Sequence, residues 1–120
     1  MKILAKMNEL NIVNSDLPTN ALNESYTEIF RLAQMCTNAK VYYELTRLYD
    51  GWIIMFKKGD TKIADAIQHN HSYGHEQDLL ETMGFKEDYG DVTGYVTAEE
   101  VFEWVDHLLQ EGMIDLEAVR

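Results

Sequence analysis

Apolar residues recur at intervals of three and four from Leu22 onward. Leu22, Tyr26, Ile29, Phe30, Ala33 and Cys36 fall on one side of a helix expected to end near Asn38. The period then changes to two. Residues 41–48 and 52–57 are rich in β-branched and aromatic side chains, and Tyr49-Asp50-Gly51 between them carries an Asp-Gly hairpin signal. Lys58-Gly59-Asp60 supplies another turn before a third strand over residues 62–68, so three antiparallel strands in meander order are predicted. Trp52, Ile54 and Phe56 would share one face of the middle strand, with Ile53 and Met55 on the other. That pattern predicts a central strand covered on both sides.

The remaining segments are read the same way. Residues 76–83 suit a short helix with Leu79, Leu80 and Met83 inward, stopped by Gly84. Residues 91–96 suit an edge strand, or a loop in view of Gly90 and Gly94. Thr97-Ala98-Glu99-Glu100 is a capping box, in which Thr97 accepts from the third helical amide and Glu100 reaches back to the Thr97 amide. Behind it Ala98, Val101, Phe102, Val105, Leu108 and Leu109 form an apolar stripe ended by Gly112. Near the start, Ile3, Met7 and Leu10 have helical spacing that Asn8, Asn11 and Asn14 weaken, a short strand being the alternative. A break follows at Asn14-Ser15-Asp16-Leu17-Pro18. The fold class is therefore α+β: one domain over residues 1–120, with a three- or four-stranded antiparallel sheet packed against amphipathic helices.

Charge changes this picture more than composition does. Hydrophobic residues at 46% and aromatics at 11% are ample for a core. The longest apolar run, Trp52–Phe56, is far short of the roughly 20 residues of a membrane span. Lys6, Asn8 and Glu9 interrupt the opening before a signal-type apolar stretch forms, and the lone Cys36 excludes an internal disulfide. A cytoplasmic protein is expected. Net charge is −11, yet residues 1 to 75 carry eight acidic and eight basic side chains, while residues 76 to 120 carry thirteen acidic ones against Lys86 and Arg120. Such a field opposes direct contact with nucleic-acid phosphates and favours a protein partner with a basic surface.

Two clusters carry candidate chemistry. The outer face of the last helix presents Glu99, Glu100, Glu103, Asp106 and Glu111 without a Lys or Arg among them. Glu99 and Glu100 suit the positive end of the helix dipole. Glu103 repels Glu99 at a cost of about 0.2–0.5 kcal/mol, and Glu111 opposes the negative end. The plain alternative is a solvated face. The sharper reading joins Glu87, Asp88, Asp91, Glu99, Glu100, Glu103 and Asp106 into a docking surface that imitates a phosphate backbone. The second cluster, His69-Asn70-His71-Ser72-Tyr73-Gly74-His75-Glu76, places His69 and His71 on one side of an extended strand. A turn at Gly74 would then bring His75 or Glu76 round toward a zinc or other transition-ion site. Cys36 shares its apolar stripe with Ile29 and Ala33 and reads as an inert buried thiol. No phosphate loop, dinucleotide fingerprint or nucleophile elbow is present.

Tyr49-Asp50-Gly51-Trp52-Ile53-Ile54, Ser72-Tyr73-Gly74-His75 with Leu79-Leu80-Glu81-Thr82-Met83-Gly84-Phe85, and Asp91-Val92-Thr93-Gly94-Tyr95-Val96-Thr97-Ala98-Glu99-Glu100 resemble small acidic proteins encoded by phages and prophages of Gram-positive bacteria. The resemblance covers roughly residues 40 to 110 and carries over no functional residue. It implies action in the host bacterial cytoplasm by binding and inhibiting host machinery, CRISPR effectors, nucleases and polymerases among them. The expected function is thus an accessory or inhibitor protein with no catalytic residue, acting through its acidic C-terminal half. A metal-binding protein or metal-dependent enzyme built on His69, His71 and His75 is the alternative. The sheet edge and exposed aromatics also suit pairing with a second copy.

Overall fold

The helix expected from residue 22 begins at Glu28. The computed structural model describes residues 26–85 and 92–119, and in it α1 spans Glu28–Asn38. Its stripe of Ile29, Leu32, Ala33 and Cys36 is buried, while Tyr26 lies ahead of the helix with its hydroxyl donating to the Asp50 carboxylate at 3.1 Å. The expectations for residues 1–20 and for Glu87, Asp88 and Asp91 lie outside the described residues.

Five strands follow: β1 (Glu44–Leu48), β2 (Gly51–Lys58), β3 (Thr61–Gln68), β4 (Leu80–Met83) and β5 (Val92–Val96). Each pairs antiparallel with its sequence neighbour, so the sheet is the expected meander with one strand more than foreseen. The extra strand comes from a correction at residues 76–83. That segment is not a helix but a single 3-10 turn over His75–Gln77 followed by β4. Asp78, at φ +57°, takes the chain out of helical geometry. Beyond it Leu80 and Thr82 point inward, alternating with half-buried Glu81 and exposed Met83, a period of two that the Leu79-Leu80-Met83 spacing had concealed. A second correction concerns β2. The central strand is β3, and β2 is covered on one face only: Trp52, Ile54 and Phe56 are buried, whereas Ile53 and Met55 are half-buried.

Both helices lie on that inner face. The capping box starts α2 (Ala98–Gln110) as expected, with the Glu100 amide donating to the Thr97 hydroxyl at 3.2 Å and the Thr97 amide to Glu100 Oε1 at 2.9 Å. Ala98, Val101, Val105 and Leu108 of α2 join the α1 stripe, Trp52, Ile54, Phe56, Leu80 and Val96 in one core. Ala64 and Ala66 put only methyl groups on the inner face of β3, where α1 crosses. Cys36 is fully buried and burial pushes its thiol up, in keeping with an inert role. Among the described residues no helix is long and apolar enough to cross a membrane.

Gly51 has a different function from the turn position expected of it. The hairpin loop is Tyr49-Asp50, and Gly51 already pairs with Leu48. A Cβ at Gly51 would stand 1.9 Å from the Gln68 carbonyl oxygen, so only glycine permits this approach of β2 to β3. Gly51→Ala is expected to cost about 3 kcal/mol, the upper end of overpacking effects. Gly59→Ala, at φ +60° with open space around it, should cost about 1 kcal/mol. Urea denaturation of the two variants checks the contrast.

Candidate functional site

The end of the molecule where β3 leaves the sheet holds both helix N-termini and the histidine-rich loop, residues 69–79. The loop is tied down by the amides it must satisfy. Thr27 makes no side-chain cap for α1. Instead Asp78 Oδ1 accepts from the amides of Thr27 at 2.8 Å and Glu28 at 3.3 Å, and its other oxygen accepts from the Thr27 hydroxyl. Gln68, fully buried, accepts from the Ile29 amide at 3.0 Å and donates to Asp78 at 2.7 Å. These donors would otherwise be orphans of the first helical turn, and a carboxylate there also meets the positive end of the helix dipole.

The same device links α1 to α2. Glu28 is buried; one oxygen accepts from the Ala98 amide at 2.8 Å and the other pairs with Arg31 at 2.6 Å. Arg31 also pairs with Glu99 and holds that carboxyl below the usual range. Of the acidic residues singled out from the sequence, then, Glu99 and Glu100 have structural employment at the start of α2. Glu103 and Asp106 face water, Asp106 accepting from Gln110 at 2.7 Å, and Glu111 lies 3.0 Å from the His107 imidazole. The structure keeps Glu99, Glu100, Glu103 and Asp106 on the solvent side of one helix, as its stripe required.

The histidines form a ring cluster about Tyr49. His69 and His71 lie 6.0 Å apart, at 4.8 and 5.0 Å from the Tyr49 ring, whereas His75 packs edge-on toward Tyr26 at 6.5 Å. His69 is buried, and Nδ1 accepts from the His71 amide at 3.0 Å, which leaves Nε2 as its protonated nitrogen. Burial, with His71 and His75 assisting and Glu81 and Asp50 opposing, lowers its pKa and keeps it neutral at pH 7. Among the described residues no group of three or more His, Cys, Asp or Glu side chains is placed to hold a metal ion. His69, His71 and His75 share the loop without sharing a coordination point, so the zinc reading gains no geometric support.

Compared with protein-family models, curated proteins and solved structures, the chain matches none of them. The sequence offers Asp78 only as one of several carboxylates, with Asp60, Asp65 and Glu76, that nothing shows to converge, and no signal in the chain pairs Asp78 or Gln68 with residues 27–29. Tyr49 reads from the sequence as a turn or sheet-face residue, whereas it is an exposed ring in a loop that consists of Tyr49 and Asp50 and leaves Gly51 in the strand.

Burial opposes the charge on Asp78, but hydrogen bonds from the Thr27 hydroxyl and amide, from Gln68 and from the Glu28 amide outweigh it, and its pKa is lowered. Its contribution to stability is therefore complete above an ordinary aspartate pKa of about 3.9 and is lost as pH falls through the depressed folded value. Asp78→Asn should cost about 1–2 kcal/mol at neutral pH. The gap from wild type should narrow below about pH 4, as urea titrations at neutral and acid pH would record.

Proposed function

We propose that this chain is an accessory protein of the phage-encoded inhibitor kind. It acts by binding a host protein whose basic surface otherwise contacts nucleic acid, a CRISPR effector being one such target. The observation that carries this reading is the solvent face of α2. There Glu103 and Asp106 stand exposed, one helical turn apart, and between Val92 and Val119 no Lys or Arg interrupts them. Helix stability does not call for that pattern, since these two positions lie beyond the first turn and gain nothing from the dipole. A row of fixed carboxylates speeds encounter with a cationic groove and opposes association with nucleic acid itself.

The carboxylates that hold the fold, Glu28, Asp78, Glu99 and Glu100, must be left in place when the idea is tested. The double variant Glu103→Gln/Asp106→Gln is expected to fold normally and to lose most of a partner captured by wild type from a Gram-positive lysate. Raising salt from about 0.15 M to about 1 M, where the screening length drops from about 8 Å to about 3 Å, should release the partner from wild type as well. Capture that is indifferent to both changes would remove the electrostatic reading.

A further inference from the structure

Three tyrosines stand in water at the same end of the molecule: Tyr49 is 67%, Tyr73 60% and Tyr95 56% exposed. They are joined by the histidine loop. Tyr49 packs on the His69 and His71 rings, and two residues on, the Tyr73-Gly74 backbone lies against Gly94 and Tyr95. A Cβ at Gly94 would stand 2.5 Å from Tyr73 Cβ, and one at Gly74 3.1 Å from Tyr95 Cα, so both glycines permit this approach.

Two of the three rings sit on backbone that disfavours them. Tyr49 has φ +56° in a two-residue hairpin loop, and Tyr95 has φ +59° in a bulge where Gly94 and Tyr95 together face Glu81. Glycine is the residue that adopts such angles without strain. Bulges re-aim a side chain, and strain held in a fold points to use. Glu81 also fixes Tyr73, accepting from its amide at 2.8 Å. The rings are thus presented on ordered backbone, and exposed Tyr on a rigid frame is the composition of protein recognition surfaces.

Charge decides what such a surface accepts. From Gln68 to Phe85 and from Val92 to Val119 there is no Lys or Arg. Arg47, next to Tyr49, donates to the Tyr49 and Gly51 carbonyls and lies over Trp52, Arg31 pairs with Glu99 and Glu100 closes the capping box, while Glu76 stands exposed on the loop that carries Tyr73. Aromatic faces edged by carboxylates attract guanidinium groups by cation–π contact and by pairing together. We propose that Tyr49, Tyr73 and Tyr95 form the contact surface for an arginine-bearing segment of the protein partner. This rests on the basic-partner reading above and adds where the partner docks and which cation it uses.

The test titrates the full chain with an oligoarginine and an oligolysine peptide of equal length. Wild type should bind oligoarginine about tenfold more tightly, the size of a desolvated cation–π preference, with ring-proton shifts at all three tyrosines. Tyr49→Gly/Tyr73→Ser/Tyr95→Gly should remove that margin. The two glycines relieve positive φ, so folding should survive; Tyr49→Gly alone, with a reduced margin, serves if the triple variant does not fold. Glu103→Gln/Asp106→Gln should weaken both peptides and keep the margin. Equal binding of the two peptides, unchanged by the tyrosine variants, overturns the inference and leaves the basic-partner reading standing, while failure to bind either overturns both. Preferential binding of a single-stranded oligonucleotide by the tyrosines overturns the inference in favour of a base-stacking surface.

Discussion

The first turn of α1 leaves amides that its own neighbours do not satisfy, and the fold is arranged around their satisfaction. Asp78 reaches them from a loop fifty residues away and Gln68 from the end of β3, and the two are hydrogen-bonded to each other. The bonds do more than cap a helix. They fix the loop to α1, α1 to the sheet, and through Glu28 they fix α1 to the first amide of α2. A carboxylate near a helix N-terminus contributes about 0.3–1 kcal/mol through the dipole alone. Removing it would add the desolvation of Gln68, which is fully buried and would lose its acceptor.

That chain of dependence explains which parts of the fold could be read beforehand. The α2 cap is local: Thr97 and Glu100 are three residues apart, so their reciprocal bonds are written in adjacent letters. The strands of the first hairpin and β3 were legible because alternation and turn residues are also local. Residues 76–83 were not, since Leu79, Leu80 and Met83 satisfy a helical period and a strand period nearly as well over so short a stretch. Pairing with β3 and β5 decides between them, and pairing is a tertiary fact. The start of α1 failed for a related reason. Tyr26 has helical spacing with Ile29, but its hydroxyl partner Asp50 lies on another turn, and no local signal announces it.

The candidate site divides along the same line. Its acidic face was visible, because exposed positions of an amphipathic helix follow from the buried ones. Its tyrosines were not, because a sequence rule would place glycine at φ +56° or +59° and find Tyr49 and Tyr95 unremarkable. The histidines were visible as letters only. Their spacing allowed convergence on a metal, whereas the loop spends His69 Nδ1 on the His71 amide and turns His75 toward Tyr26.

Seen through these contacts, the net charge of −11 is less uniform in meaning than in sign. Asp78 caps α1, Glu100 closes the capping box, Glu99 pairs with Arg31, and Asp115, buried, accepts from the Gly59 amide at 2.9 Å. These carboxylates are committed to the fold, and their fields are partly cancelled by the dipoles and cations they meet. What remains is the smaller set facing water along α2, together with Glu76 on the loop. The electrostatic recognition we propose is therefore a property of position more than of total charge. In the proposed docking the exposed tyrosines supply the geometric selectivity that screened surface charges lack on their own.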